Sequence, residues 1–286
     1  MVHAPKWPIL SLVLQAALAC RANRTSLPPL VPAAHLVQSH GQDDFIIGNT
    51  LHILVDQALA DSTLDNGLTL IPPTLNAFAN VFASDVKELF AYTEVIVSLI
   101  PASGLSSLTD YVFLTMSTGV NSTVASGSPT SEGYEMVVMP FGVNITGAGA
   151  KGAFWATRTL LQGLVQTQGH FPSSTITDQP DWPTRGIMLG MLLLLIHSNK
   201  YTDRLTDVGR HWYPIAFLKE MCAYISWFKM SEFVCNDMEP FRLLVDTIFS
   251  SICISLITLT LWDARTPTQG SASILRMAFS PASLLS

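Results

Sequence analysis

Leu75, Phe78, Ala79, Phe82, Val86, Leu89 and Phe90 recur every three or four residues through TLNAFANVFASDVKELFAY. That spacing gathers them on one stripe of an amphipathic helix, and a one-sided helix needs an apolar surface to lie on. The stripe is therefore read as a sheet-packing face. Pro72 and Pro73 suit the start of the helix, because proline's fixed φ and missing N–H cost nothing in a first turn. Sheet signals surround it. Phe45 to Ile47, Leu51 to Val55, Glu94 to Ile100, Tyr111 to Ser117, Tyr134 to Met139 and Val143 to Thr146 are short and rich in β-branched and aromatic residues. Gly, Ser and Pro clusters separate them, and the last two are close enough for a hairpin. A second helix is expected from Ala153 to Gln166, with Phe154, Thr157, Leu161 and Leu164 on its stripe. From Leu36 to Gln168 the pattern is that of an α+β domain.

The 286 residues allow one or two domains, and two are expected. With 15 basic against 21 acidic residues and no basic run, the chain lacks the electrostatic footprint of a phosphate-backbone binder, so nucleic acid is excluded as a partner. Cys20, Cys222, Cys235 and Cys253 show no CxxC spacing, and the seven histidines form no HExxH. Neither a disulfide framework, a metal site nor a cofactor is expected.

At the N-terminus, Lys6 precedes a largely apolar run from Trp7 to Leu18, and Ala17-Leu18-Ala19 offers the small residues a signal peptidase needs. Residues 1–19 are read as a signal peptide cleaved after Ala19. The run is shorter than the ~20 residues that span a bilayer. Cys20 opens a lipoprotein reading, against which stands Ala17 where that motif prefers Leu. A secreted, extracellular product is expected, with N-x-S/T acceptors at Asn23, Asn121 and Asn144 as surface positions. Asn121, inside the polar run STGVNSTVASGSPTSEG, is the most exposed of them.

Between the last of these strands and the second helix lies Gly147-Ala-Gly-Ala-Lys-Gly152. Free amides at a helix N-terminus attract anions, so the segment could cradle a phosphate. Lys151 is followed by Gly152 rather than Ser or Thr, and no acidic ribose partner is placed for a dinucleotide. A tight strand-to-helix turn with close packing is the favoured reading. Pro172 to Pro183, polar and interrupted by three prolines, reads as a linker. Beyond it Arg185 to Leu189 suits a buried parallel strand. Ile215 to Phe233 carries Leu218, Met221, Ile225 and Phe228 at helical spacing. Strand then helix is a single β/α unit, common to parallel sheets and (β/α)8 barrels alike.

Three stretches resemble glycoside hydrolase family 20, the β-N-acetylhexosaminidases. They are EGYEMVVMPFGVNITGAGAKGAFWATRTLLQ (Glu132 to Gln162), DQPDWPTRGIML (Asp178 to Leu189) and DVGRHWYPIAFLKEMCAYISWFKMSEF (Asp207 to Phe233). The resemblance covers roughly Leu36 to Phe233. It implies a non-catalytic α+β domain at 36–172, a sheet backed by two helices, and at 183–233 the first strand-helix unit of a catalytic (β/α)8 barrel. By the same resemblance Arg185 falls on the arginine that holds sugar hydroxyls, a task suited to a guanidinium fork. Asp207 and Arg210 are read as an ion pair near the site, and His211 as a packed histidine. The implied substrates are glycans ending in N-acetylglucosamine or N-acetylgalactosamine.

The family's reaction is a substrate-assisted retaining hydrolysis, in which the sugar's own acetamide attacks the anomeric carbon. A Glu protonates the leaving oxygen and an adjacent Asp orients the acetamide. Acid catalysis of this kind contributes ~10²–10⁴ in rate. No Asp-Glu dipeptide occurs anywhere in the 286 residues, so no catalytic residue is assigned.

Two segments stand outside the resemblance. Gly190 to Thr206 interrupts the signature, and residues 234–286 follow Phe233 with VCNDMEPFRLL in place of a histidine-containing second strand. Gly190-Met191 and Val234-Cys235 can each be encoded with a donor-like GTATG, and joining Leu189 to Asp207 restores a continuous signature. Both segments are accordingly read as translated intron or shifted frame, leaving an incomplete barrel with a single strand-helix unit. Thr247 to Trp262 is uncharged and apolar, yet short and rich in Ser and Thr, so a membrane anchor is not favoured.

Overall fold

The computed structural model describes residues 27–63, 73–120, 123–189, 215–236 and 258–262. The expected signal peptide, the interruption 190–206, Asp207, Arg210, His211 and Asn121 lie outside these residues. The chain divides into two compact units, one holding residues 1–64 and 74–183, the other 65–73 and 184–286.

The first unit contains β1 (Leu36–Ser39), β2 (Phe45–Ile46), β3 (Thr50–Asp56), α1 (Leu75–Leu89), β4 (Glu94–Ile100), β5 (Tyr111–Met116), β6 (Tyr134–Met139), β7 (Gly142–Gly147), α2 (Ala150–Gln166), β8 (His170–Phe171) and β9 (Ser174–Asp178). Seven strands form one sheet in the order β1-β9-β6-β7-β5-β3-β4. Its β4, β3, β5 and β7 side is parallel, and its β7, β6, β9 and β1 side is antiparallel. The parallel pairs follow from the crossovers: α1 lies between β3 and β4 in the chain and packs against both. The β6–β7 hairpin turns through Pro140 and Phe141 alone.

Alternation decides which face is covered. Leu51, Ile53 and Val55 of β3 align with Val112 and Leu114 of β5, and these with Val143 and Ile145 of β7; all are buried. α1 lies across β3, β4 and β5, and α2 across β5, β6 and β7, with the two helices packed on each other. Phe78 of α1 and Phe154 of α2 meet at 4.8 Å between ring centroids. On the opposite face Leu54, Tyr111 and Phe113 are covered by Ile100, Leu105 and Leu108, brought there by a 3-10 turn at Ala102–Ser107.

Several local expectations shift. α1 begins at Leu75 because the Thr74 hydroxyl accepts from Ala77 N at 3.0 Å, so Pro73 precedes the cap instead of opening the helix. α2 starts three residues earlier than its periodicity suggests and takes in half of the glycine-rich lead-in. The stretch read as a linker holds β9, paired on both sides, so the first unit extends past residue 172. Asn144, expected at the surface, sits mid-strand on β7 between Phe113 and Val137, with its Oδ1 buried.

The second unit contains β10 (Gly186–Leu189), α3 (Ile215–Trp227), β11 (Glu232–Asn236) and β12 (Thr258–Trp262), whose strands form a parallel sheet in the order β10-β11-β12. The expected strand and helix are both present. The helix stops at Trp227 rather than reaching Phe233, because Lys229 adopts a φ of 54° and turns the chain. Its N–H bonds to Ser226 O and that of Met230 to Ile225 O, a Schellman closure that satisfies the last carbonyls. Phe233 and Val234, across which the resemblance stops, are consecutive residues of β11. Residues beyond Phe233 thus add to this sheet, which has three strands where one strand-helix unit was expected. Among the described residues no helix is long and apolar enough to cross a membrane, and the end of the apolar tail run is the strand β12.

Candidate functional site

Arg185 is the sequence-predicted site residue that the structure describes in contact detail. It stands just before β10, half-buried, at the N-terminal end of the parallel strands. Its Nε donates to Lys229 O at 2.8 Å, its backbone N donates to Ser231 Oγ at 3.1 Å, and Ser231 N returns a bond to Arg185 O at 2.7 Å. A cation is favoured at a helix C-terminus, where carbonyls point outward. The side chain therefore ties the closing turn of α3 to the first strand. The contacts of Arg185 are those of an anchor.

Among the described residues, a polar cluster that sequence reasoning did not single out lies in the first unit. The Tyr134 hydroxyl, buried beneath α2, is 2.6 Å from Thr159 Oγ1 and donates to Asp178 Oδ2 at 3.0 Å. Burial, with the nearby Asp178 charge next in importance, pushes the phenol's ionisation well above its usual value. The other oxygen of Asp178 meets His35 Nδ1 at 2.7 Å, and His35 Nε2 reaches Asp181 Oδ1 at 2.9 Å. Those bonds to Asp178 and then Asp181 raise the pKa of His35, against a smaller lowering by desolvation. Beside them Trp155 Nε1 donates to Glu132 Oε2 at 3.1 Å. Arg158, 2% exposed, pairs through Nη2 with Asp85 Oδ2 at 2.6 Å and lies 4.3 Å over the Phe154 ring.

This cluster holds carboxylates, a phenol and an imidazole, but its bonds run between elements and close on one another. It joins β6, β9, α2 and the segment before β1. Residues 27–35 also run along α2: Val31 N donates to Gln162 Oε1, Gln162 Nε2 to Val31 O, and Gln166 Nε2 to Pro29 O. The arrangement is a polar brace. Among the described residues no group of three or more His, Cys, Asp and Glu side chains is placed to hold a metal ion.

The glycine-rich lead-in to α2 resolves toward packing. Gly152 N donates to Ser131 O at 3.2 Å and Ala148 N to Gly133 O at 2.8 Å. An added Cβ at Gly152 would stand 2.1 Å from Gly133 O. Backbone carbonyls thus occupy the approach that an anion would need.

Tyr134, Trp155, Thr159 and Gln162 all fall in the text Glu132 to Gln162 that carried the family resemblance, and each spends its polar atoms inside this brace. Residues 27–179 match the model of glycosyl hydrolase family 20, domain 2. A β-hexosaminidase of Akkermansia muciniphila is 27% identical over 104 residues, 35% of this chain and 18% of that protein. A mutant Streptomyces plicatus β-hexosaminidase solved in complex with its product GlcNAc superposes with a TM-score of 0.54 at 16% identity, over 84% of this chain and 47% of that one. A Flavobacterium johnsoniae chitobiase gives 0.53 at 16% identity, over 84% and 35%. The chain spans less than half the length of each of these proteins. The family match covers more than half of the chain and holds all seven strands of the braced sheet with both of its helices, and the chain belongs to glycoside hydrolase family 20.

Proposed function

We propose that this chain is the supporting portion of a β-N-acetylhexosaminidase and does not itself hydrolyse glycosides. The observation that carries the reading is the absence of any Asp-Glu dipeptide from the 286 residues, in a family whose acid and acetamide-orienting groups are adjacent. Without the acid the leaving oxygen departs unprotonated, and without the aspartate the developing oxazolinium charge is unsupported. The complete enzyme's substrates are glycans with terminal non-reducing β-linked N-acetylglucosamine or N-acetylgalactosamine. The relative named β-hexosaminidase and the Streptomyces structure holding GlcNAc support that class. The first unit's part is mechanical: a braced sheet and helix pair leading into Arg185, which anchors the first barrel strand. Secretion through the expected signal peptide delivers the protein to extracellular glycans.

The test is to express the 286-residue chain and offer an aryl β-N-acetylglucosaminide. Turnover is expected to stay at the rate of the buffer, and turnover that rises in proportion to the chain's concentration overturns the proposal. A second reading, a non-catalytic secreted glycoprotein, is favoured by β11, which runs unbroken across Phe233 and Val234 and pairs on both sides. Sequencing transcripts across the codons for Leu189 to Asp207 and past Phe233 separates the two. A message that joins Leu189 to Asp207 supports the enzyme, and a message that retains both segments supports the glycoprotein.

A further inference from the structure

Both ring nitrogens of His35 face carboxylates, Nδ1 at 2.7 Å from Asp178 and Nε2 at 2.9 Å from Asp181. A neutral imidazole has one N–H and one bare lone pair, and here the lone pair would point at a negative oxygen. Only the doubly protonated ring donates to both. We propose that His35 is an acid-state clasp, fastening the arm of residues 27–35 to the end of β9 and the turn after it as an imidazolium, and releasing Asp181 when it loses a proton.

The geometry says which bond opens. Asp178 is 6% exposed, also accepts from Tyr134 and from His35's own backbone N at 3.3 Å, and is fixed at the end of a paired strand. Asp181 is 61% exposed and sits beyond that strand. The neutral tautomer keeps Nδ1–H toward Asp178 and turns a bare Nε2 on Asp181, which water then takes. The charges acting on His35 are those of Asp178, from β9, and Asp181, from the following turn. β6 and α2 contribute Tyr134 and Thr159 behind Asp178, both uncharged near neutrality. The His35 side chain is 39% exposed, so the proton exchanges freely with solvent. Because its pKa is raised, the stabilisation is complete below the ordinary histidine value of about 6.5 and is lost as pH rises through the folded-state value. These bonds lie within the first unit and do not depend on glycoside hydrolysis.

The test uses the full chain and two variants, His35→Gln and Asp181→Asn, with thermal melts from pH 5.5 to 9 and NMR titration of the His35 ring. His35 is expected to titrate above 6.5, and Asp181→Asn to bring that midpoint down. The wild type is expected to melt about 1–3 °C above His35→Gln at pH 6, a modest shift because solvent screens the exposed half of the clasp. That gap closes by half or more once pH passes the His35 midpoint. A midpoint at or below 6.5, one unmoved by Asp181→Asn, or a melting gap constant from pH 5.5 to 9 overturns the clasp. Should His35→Gln fail to fold, the Asp181→Asn titration decides alone.

Discussion

Arg158 carries a full charge into the middle of α2, where its side chain is 2% exposed. A buried cation costs several kcal/mol unless it is paired and hydrogen-bonded. Here Asp85 lies 2.6 Å away, Phe154 presents its ring face at 4.3 Å, and Nε reaches Thr157 Oγ1 at 3.4 Å. Removing the guanidinium by Arg158→Ala leaves a cavity between the helices and a carboxylate that water reaches only in part. A loss of about 3 kcal/mol is expected in urea unfolding. Arg158→Lys keeps the charge but loses the flat stacked fork, and is expected to fall between the two. An Arg158→Ala protein within 1 kcal/mol of wild type sinks this account. Nothing near Arg158 in the sequence announces its burial. Thr157 and Leu161 mark the stripe, while Arg158 is covered because α1 packs on α2 and brings Asp85 with it. His35, Asp178 and Asp181 were illegible for the same reason: their bonds join residues more than 140 positions apart.

Whole elements were more legible where one face alone decides them. Leu75, Phe78, Ala79, Phe82 and Val86, the stripe that predicts α1, are buried as expected, and β4, β5 and β6 start at the expected residues. β9 was missed because STITD has a single aliphatic residue, Ile176, and buries Ser174 and Asp178 through hydrogen bonds instead. The start of α2 was blurred by its glycines, whose purpose is contact between elements rather than local propensity. At Gly152 an added Cβ meets Gly133 O, part of the backbone, at 2.1 Å. At Gly163 it meets the Phe171 ring at 2.1 Å. Both Gly152→Ala and Gly163→Ala are expected to destabilise by about 1–3 kcal/mol, as overpacking does, despite alanine's better helix propensity. The obstacles differ, and so does the rescue. Phe171→Leu added to Gly163→Ala is expected to recover part of its loss, whereas the same substitution added to Gly152→Ala only adds a further loss. Equal behaviour of the two pairs in urea melts overturns the distinction between a backbone and a side-chain obstacle.

At the scale of the molecule, the first unit carries most of the described core. The buried aliphatic and aromatic side chains of the first unit, from Phe45 to Ile176, form its core. Four buried polar groups of α2 pair inside the unit: Trp155 with Glu132, Arg158 with Asp85, Thr159 with Tyr134, Gln162 with Val31. A domain of about 150 residues buries close to 70% of the surface its unfolded chain exposes, enough for one cooperative core. A chain covering residues 27–183 keeps all seven strands of the sheet, both helices and the His35 bonds. It is expected to unfold in a single transition with coincident near-ultraviolet and far-ultraviolet circular dichroism, the mark of two-state behaviour. A Gly133→Pro change in the same chain is expected to lower that transition, since the 131–133 segment accepts from Gly152 and Ala148 and lies against the start of α2. Loss of near-ultraviolet signal with helix content retained would mean that the brace cannot hold the packing by itself. The first unit would then depend on residues outside 27–183, and the bonds gathered around α2 would be a consequence of folding rather than its support.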